Sequence, residues 1–556
     1  MNNSVIGWHA SGTGGAVAAG GSSAVAVGID LLEAGGNAAD AAAATMFALA
    51  ITDYGEFAIG GEISLIIYDA TKQEVKVLCG MGTAPRDERA IEWYYANGIP
   101  DLGSYKAMPT PGAVHLCLTL LELYGSKSLE EVVAPALALL DAGEEWWYQR
   151  LDMTLRKMVE HEQQTSGSRE EKLRAARDRF YRGDIADQLV AWYRSVGALL
   201  RRSDLEAHVT TVEEPVSITY RGYVVHKCNT WTQGPVLCQT LRLLEGYDLQ
   251  KMGHLSTDYI HLVTEAMKLA YADRDKYYGD PEFVDVPMTQ LLSDEYTEIR
   301  RQLIDMENAS AERRPGDSLN MRALEEGSET GEGSVPKLVS DTTTCVVADR
   351  WGNVVAATPS CNLDGNEPDP RTGVTQGNRL RSLNTTPGHP NRIQPGKRPR
   401  ITLTPTLVTK NGKPVVAMSV AGGDRQDQTT LNLLLNHIEF GLMPSEAATA
   451  PRFNTDHMEN SFDSDPDRAR TFMSPASLEV NSDISHSVQQ QLHGRGHSLS
   501  VTSEPIASPV MIYLDWDTGI AYAAGDPAAG RHAAALDDLV GSQDGCWRAP
   551  AGGELA

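Results

Sequence analysis

The sequence is short of positive charge. Its 48 lysines and arginines stand against 74 aspartates and glutamates, which gives a formal net charge of −26 at pH 7. A chain so acidic repels nucleic-acid phosphates and anionic lipid, so neither is expected as a partner. No apolar run reaches the roughly 20 residues that a membrane helix needs. A membrane-spanning protein is therefore not expected either.

Cysteines and N-terminal basic residues are also scarce. The seven cysteines are scattered and odd in number, which favours buried thiols over a disulfide framework. The first basic residue is Lys72, so the charged start of a secretory signal is missing. The sequence therefore predicts a cytoplasmic protein. A periplasmic or secreted location stays open for the case that a signal peptide has been removed.

A chain of 556 residues exceeds the size at which a single core stops growing. Two structural units or one large layered unit are therefore expected. From about 306 to 337 the chain is rich in Glu, Ser, Gly, Arg and Asn and has few apolar residues. This composition is typical of a flexible linker.

A run of threonines follows that segment and begins a predicted β-hairpin over 345–355. A threonine at the start of a chain carries its own base, because its free α-amine has a pKa of roughly 7.7–8.0. If the backbone were cut between Asp341 and Thr342, the Thr342 hydroxyl would gain such a base. Before the cut, the same hydroxyl could attack the Asp341 carbonyl. The residues alone leave Thr343, Thr344 or a purely structural strand open.

Gly422 and Gly423 lie between a predicted strand over 415–420 and a helix that begins near Gln428. Consecutive backbone N–H groups close to a helix N-terminus form a suitable donor pair for an oxyanion. A tight turn that needs positive φ is the alternative interpretation.

Many segments of the chain, in the same order, resemble the γ-glutamyltransferase family of N-terminal-nucleophile hydrolases. Among them are GGNAADAAAAT at 35–45, GGEISLIIYD at 60–69, EAMKLAYADRDKYYGDP at 265–281 and NHIEFGLMPSEAATAPRF at 436–453. The resemblance implies an α+β fold, a four-layer αββα sandwich. It also implies cleavage into a large subunit, 1–341, and a small subunit, 342–556, without a cofactor or metal.

The resemblance assigns the catalytic roles residue by residue. The family's nucleophile falls on Thr342, and the hydroxyl that contacts the nucleophile falls on Ser360. The oxyanion glycines fall on Gly422 and Gly423. The catalytic residue types of the family are therefore present.

The substrate contacts differ from those of glutathione-cleaving relatives. Asn362 and Thr402 keep the polar side chains that the family uses near its substrate. Met81, however, replaces an arginine that grips the substrate carboxylate, and Arg379 replaces an acidic residue that holds the substrate ammonium. The sequence therefore predicts that Arg379, together with Arg425, holds an anionic group by forked hydrogen bonds.

These features predict an autoprocessed amidohydrolase or acyltransferase. It would cleave a γ-glutamyl-type or small carboxylate-bearing acyl amide through an acyl-threonine ester, which water or an amine acceptor resolves. The alternatives are a true glutathione hydrolase or γ-glutamyl transpeptidase with non-standard contacts, and an unprocessed, non-catalytic binding homologue. The expected partners are the small amide and the two subunits of one precursor. A homo-oligomer of that heterodimer stays open.

Overall fold

The computed structural model describes residues 5–325 and 342–537. Within them, two seven-stranded antiparallel sheets contain most of the β-structure. In spatial order, the first sheet consists of β17 (His532–Leu536), β2 (Gly15–Ala19), β8 (Cys345–Asp349), β9 (Val354–Ser360), β3 (Glu62–Asp69), β4 (Glu74–Gly80) and β5 (Thr211–Glu213). The second consists of β1 (His9–Gly12), β16 (Ile520–Gly525), β15 (Ser508–Asp515), β11 (Lys413–Ala421), β10 (Thr406–Lys410), β7 (Tyr223–Lys227) and β6 (Val216–Tyr220). A small third sheet consists of β12 (Phe453–Asn454), β13 (Ser477–Asn481) and β14 (Ser498–Thr502).

The helices fall into two groups, one for each large sheet. Those associated with the first sheet or its rim are α1 (Ser22–Glu33), α2 (Ala38–Thr52), α3 (Glu88–Asn97), α4 (Ala113–Tyr124), α5 (Leu129–Ala142), α6 (Tyr148–Gln164), α7 (Arg169–Tyr181), α8 (Asp184–Ser195) and α9 (Arg202–Ala207). Those associated with the second sheet are α10 (Pro235–Leu244), α11 (Leu249–Met252), α12 (Thr257–Tyr277), α13 (Met288–Leu291), α14 (Asp294–Arg301), α15 (Gln426–Ile438), α16 (Pro444–Thr449) and α17 (His486–Gly494).

The apolar clusters define four layers, because successive residues of a strand point to opposite faces. In β8, Val346 and Ala348 lie in the cluster between the two sheets. Their neighbour Val347 lies in the cluster shared with the first group of helices. Met418 of β11 packs on the opposite side, with the second group of helices. The αββα sandwich expected from the resemblance is therefore confirmed.

Helix α2 illustrates how local sequence places the site. The Asn37 side chain caps the helix by accepting from the N–H groups of Ala39 and Asp40 at 3.0 and 3.1 Å. The Asp40 carboxylate accepts from the Asn37 N–H at 2.9 Å, which completes a capping box. The run of alanines lets the helix pack closely, and it is buried from Ala38 to Ile51. Asp53 follows directly and is thereby fixed beside the first sheet.

The predicted hairpin over 345–355 is confirmed as β8 and β9, which pair antiparallel. The buried Asp349 carboxylate organises its turn by accepting from the N–H groups of Trp351 and Asn353 at 2.8 and 3.0 Å. Gly352 takes the left-handed conformation that the turn needs, with φ of 87°. The hairpin lies in the middle of the first sheet, between β2 and β3.

The predicted linker over 306–337 is packed along the part that the structure describes. Arg314 is buried and pairs with the Glu265 carboxylate at 2.8 Å. Lys276 donates to the Gly316 carbonyl at 2.9 Å. Residues 306–325 are thus anchored mainly by ion pairs and hydrogen bonds, with Met306 and Met321 as the apolar contacts to the second group of helices. This is why composition alone indicated a loose segment. Residues 326–337 lie outside the described residues, and the subunit boundary stays a prediction.

Candidate active site

Thr342 and Ser360 meet where the hairpin ends. Thr342 lies three residues before β8, Ser360 is the last residue of β9, and the two form an antiparallel bridge. The Thr342 Oγ donates to the Ser360 Oγ at 3.3 Å, and both residues are buried. The hairpin therefore brings the predicted nucleophile and the predicted second hydroxyl into direct contact.

The three consecutive threonines have different surroundings. The Thr343 Oγ donates to the Asp53 carboxylate at 2.6 Å, which commits this hydroxyl to a structural contact. The Thr344 Oγ is buried and has no hydrogen-bond partner among the described residues. Of the three hydroxyls, only that of Thr342 points to Ser360 within the described part of the chain. The geometry thus separates residues that the sequence left equivalent.

Arg379 is fully buried and holds Ser360 from the other side. Its Nη2 donates to the Ser360 Oγ at 2.6 Å, while its Nε donates to the carboxylate of Glu62. Its guanidinium carbon lies 5.4 Å from the centre of the Phe462 ring. Ser360 Oγ therefore accepts from both the Arg379 guanidinium and the Thr342 hydroxyl. Arg379 is close to the site, and its charge is paired with a carboxylate of this chain.

Gly422 and Gly423 form the turn between β11 and the following helical segment. Their φ angles are 148° and 59°, in the region that favours glycine. A Cβ on Gly422 would lie 2.7 Å from the Ala507 Cβ, and one on Gly423 would lie 3.1 Å from the Phe462 ring. Among the described residues, neither amide N–H has a hydrogen-bond acceptor. Both the oxyanion and the tight-turn interpretations fit this geometry.

Two contacts link this turn to the Thr342 side of the site. Thr358 of β9 and Ser419 of β11 are joined by a hydrogen bond of 2.9 Å between their hydroxyl oxygens, across the two sheets. Phe462 forms the second link, because its ring packs near Gly423 and also against Arg379. The ends of β9 and β11 therefore lie in one neighbourhood.

The turn formed by Gly422 and Gly423 is held in place by a buried ionic network. Arg274 pairs with the Asp424 carboxylate, and the Tyr271 hydroxyl donates to the Asp424 carbonyl at 2.8 Å. The Ser461 hydroxyl also donates to the Asp424 carboxylate, at 2.6 Å. These contacts hold Asp424, the residue after the glycine pair, in place. They thereby orient the N–H groups of Gly422 and Gly423.

Asn362 and Thr402, the predicted polar substrate contacts, are both buried. The Asn362 backbone carbonyl accepts from the backbone N–H of Asn378 at 2.9 Å, and the φ angle of Asn362 is 49°. The Thr402 Oγ has no hydrogen-bond partner among the described residues. The Gln426 amide, oriented so that its nitrogen donates, joins the carbonyls of Thr402 and Val420 at 3.0 and 2.9 Å. Thr402 therefore lies beside the strand end that precedes Gly422.

Arg425, the other predicted anion-binding residue, already faces carboxylates. Its Nη2 lies 3.0 Å from Glu479 and 3.7 Å from Asp456. Met81 packs in the apolar cluster between the two sheets. Asp341, the residue before the predicted cut, lies outside the described residues.

The sequence profile described as gamma-glutamyltranspeptidase matches residues 24–171 and 165–536. The chain belongs to this family. Recognition of the family, the fold class and the enzyme class are thus confirmed. The function predicted from the sequence, a hydrolase or acyltransferase related to γ-glutamyltransferases, is confirmed at the level of the family.

Three known proteins illustrate the range of the family. The chain is 29% identical to a glutathione hydrolase proenzyme of Bacillus subtilis (strain 168), over 89% of this chain and 86% of that protein. It is 30% identical to an acylase ACY 1 proenzyme of Pseudomonas sp. (strain SE83), over 88% of each. The crystal structure of a cephalosporin acylase from Bacillus halodurans superposes with a TM-score of 0.78 at 26% identity, covering 97% of this chain and 98% of that one.

Several residues around the candidate active site were not predicted from the sequence. Arg531 donates to the Thr342 carbonyl at 3.3 Å and to the Glu56 carboxylate at 3.1 Å. Glu62 pairs with Arg379, and Asp53 holds Thr343. A charged residue that opens a continuous apolar run, as Glu62 does in GGEISLIIYD, is the one local signal that marks any of them.

In residues 5–325 and 342–537, no helix is both long and apolar enough to cross a membrane.

Proposed function

We propose that the chain cleaves itself between Asp341 and Thr342 and that Thr342 then acts as the nucleophile of an amidohydrolase or acyltransferase. The observation that supports this most directly is the contact of the Thr342 Oγ with the Ser360 Oγ at 3.3 Å. A hydroxyl whose orientation is fixed by a buried partner loses little freedom on the way to attack. Arg379 fixes that partner in turn, through its 2.6 Å bond to Ser360.

The chemistry needs only groups of this chain. Once the backbone is cut, the α-amine of Thr342 takes the proton from its own hydroxyl as the oxygen attacks the substrate carbonyl. The N–H groups of Gly422 and Gly423 receive the developing oxyanion. The C–N bond breaks, the amine leaves with the proton, and an acyl ester on Thr342 remains. Water or a second amine then takes over the acyl group and restores the hydroxyl.

The acyl group of the substrate carries a carboxylate and needs no ammonium in this proposal. Its support is the buried Thr402 hydroxyl, which lacks a partner among the described residues, and the buried Asn362 amide. The carboxylate of Glu62 is paired with Arg379, so it is a poor partner for a substrate ammonium. Relatives named glutathione hydrolase and acylase support a substrate whose acyl group is cleaved from an amine.

Two chromogenic amides test this assignment, because glutaryl-p-nitroanilide differs from γ-glutamyl-p-nitroanilide only by lacking the α-amino group. We expect the processed protein to release p-nitroaniline from the glutaryl compound with a kcat/KM roughly tenfold or more above that for the γ-glutamyl compound. The Thr342→Ala variant gives the background rate. Preference for the γ-glutamyl compound would instead support the transpeptidase alternative. An uncut chain that is inactive on both amides would support the non-catalytic alternative.

A further inference from the structure

A cavity of about 360 Å³ opens beside the glycine turn. Gly422, Gly423 and Phe462 form the side that borders the candidate active site, and Met473 adds apolar surface. The acyl contacts proposed above, Asn362 and Thr402, are absent from its lining. A substrate whose carbonyl oxygen points to the glycine N–H groups therefore has this space for its amine side.

The lining of the cavity is predominantly acidic. Its lining residues include one basic residue, Arg425, and four acidic residues, Asp424, Asp456, Glu479 and Glu504. Asp424 is neutralised from behind by the fully buried Arg274. Arg425 can balance one charge of the pair Asp456 and Glu479, with which it makes its ion pairs. An excess of negative charge therefore faces the empty space.

The environment of Asp456 also indicates an excess of negative charge at the cavity. Burial raises the pKa of its carboxyl above the ordinary value, and the nearby Glu479 and Asp424 raise it as well, against the lowering effect of Arg425. The cation supplied by the chain thus does not fully compensate the carboxylates that surround it.

A buried amide supplies an independent observation. Asn454 of β12 is fully buried, and within the described residues neither its Oδ1 nor its Nδ2 has a hydrogen-bond partner. Asn454 pairs directly with Glu479 across β12 and β13, so the two side chains lie on the same face of the small sheet. Glu479 lines the cavity, and Asn454 lies beside it on the same face of the small sheet, outside the lining itself. Buried polar groups are rarely left without a partner, so this part of the small sheet has a polar group that the described residues leave unsatisfied.

We propose that this cavity is the subsite for the amine partner of the reaction and that it selects amines carrying a second, cationic group, such as organic diamines. The proposal rests on the proposed function, because it needs an acyl ester on Thr342. The same space serves the leaving amine in the first half of the reaction and the acceptor amine in the second. In the second half, the neutral nitrogen of the acceptor attacks the ester carbonyl, a C–N bond forms and the C–Oγ bond breaks. The proton of that nitrogen returns to Thr342, while the second, protonated amino group stays in the cavity.

The experiment compares two acceptors of equal chain length, n-butylamine and 1,4-diaminobutane, on processed enzyme supplied with glutaryl-p-nitroanilide. The acyl-amine products are quantified by mass spectrometry, and the release of p-nitroaniline is recorded in the same samples. We expect the diamine to be acylated about fivefold more efficiently than the monoamine, beyond the statistical advantage of its second amino group. The preference should shrink in high salt, because ions screen exposed charges.

Two matched variants make the test specific. Glu504 is exposed and lines the cavity, and Glu504→Lys reverses one charge there without disturbing a buried contact. We expect this variant to lose the diamine preference. Glu144 is equally exposed but lies outside the cavity lining, so Glu144→Lys should keep the ratio of the unmodified enzyme.

The outcomes separate this inference from the proposed function. Normal release of p-nitroaniline with equal acylation of the two amines would overturn the cationic subsite and leave the Thr342 mechanism standing. A diamine preference that survives Glu504→Lys unchanged would overturn it as well. Absence of p-nitroaniline release from the unmodified chain would overturn the proposed function, and with it the inference.

Discussion

The Thr342 hydroxyl donates to the Ser360 Oγ at the point where the β8–β9 hairpin ends. The pairing of two central strands thus sets the distance between a candidate nucleophile and its neighbour. Arg379 approaches the same oxygen from the opposite side at 2.6 Å. The reactive residue is therefore positioned by the core of the first sheet and by a buried arginine, rather than by a surface loop.

Removal of the Ser360 hydroxyl tests this arrangement. In Ser360→Ala, the Thr342 Oγ loses its acceptor and the Arg379 Nη2 loses a buried partner. We expect self-cleavage to slow and kcat of the processed protein to fall by roughly tenfold or more, because an oriented hydrogen bond to a reacting group is lost. Both effects are measured by the rate of band splitting on gels and by p-nitroaniline release.

The conservative control is Ser360→Thr, which keeps the hydroxyl and suits a β-strand. It should process and turn over within a few-fold of the unmodified chain. Equal loss in both variants would point to a packing defect and contradict a role for the hydroxyl.

The glycine turn gives a prediction with an internal control. Gly423→Ala adds a Cβ at 3.1 Å from the Phe462 ring, in a backbone conformation with φ of 59°. Left-handed φ costs an L-residue about 1–2 kcal/mol. Gly412 has a similar φ of 76°, but a Cβ there meets nothing within 4 Å. Gly412→Ala should therefore lose comparable thermal stability and keep its activity.

Activity should separate the two glycine variants. We expect Gly423→Ala to lower kcat/KM roughly tenfold or more, because the Phe462 ring shifts and the N–H groups of the turn are misaligned for the oxyanion. The measurement compares kcat/KM and the midpoint of thermal unfolding for both proteins. Unchanged kcat/KM in Gly423→Ala would leave only the tight-turn interpretation.

Local patterns and the family resemblance were enough to predict the hairpin, the glycine turn and the sandwich. Strand alternation, turn residues and the order of the segments that resemble the family are all visible along the chain. They were not enough for the ion pair between Arg379 and Glu62, whose partners lie 317 residues apart in the sequence. The contact of Arg531 with the Thr342 carbonyl spans 189 residues. Such pairings depend on how the sheet is assembled, and no spacing rule encodes them.

The same limit applies to the segment that begins at 306. A low content of apolar residues indicated weak packing, yet Arg314 and its neighbours are held by charged groups on α12. Likewise, the sequence predicted that Arg379 and Arg425 bind an anionic group of the substrate. In the structure both face carboxylates of the chain, and their role in substrate binding stays a prediction.

A pair of buried histidines predicts how stability depends on pH. The His261 Nε2 donates to the Asp305 carbonyl at 2.7 Å, so its Nδ1 accepts from the His497 Nε2 at 2.8 Å. Burial lowers the pKa of His497 to about 2, with a further lowering by Lys268, and burial lowers the pKa of His261 as well. Both rings are therefore neutral in the folded protein.

The direction of this pH dependence follows from the unfolded chain, in which histidine has a pKa of about 6.5. Below that pH the unfolded state binds more protons than the folded state, so stability is full above about pH 6.5 and falls as the pH drops. We expect the midpoint of thermal unfolding to decrease steadily below about pH 6.5. His497→Gln should lower the midpoint near neutral pH and flatten its decline in acid. A decline of the same slope in both proteins would contradict this origin.

The threonine cluster allows the nucleophile itself to be tested by substitution. Thr343→Val removes the 2.6 Å bond to Asp53, which should cost about 1–3 kcal/mol of unfolding free energy. The cut should nevertheless occur. Thr342→Ala should fold, stay as one chain on ageing and turn over neither amide. Cleavage that stops in Thr343→Val but continues in Thr342→Ala would exchange the two roles.

The most direct test of the central claim is the N-terminal sequence and intact mass of the fragments in active, unmodified protein. The proposed mechanism predicts a small fragment that begins at Thr342 and carries a free α-amine, together with a large fragment that ends at Asp341. Turnover by a single uncut chain, or by protein whose small fragment begins at another residue, would contradict it.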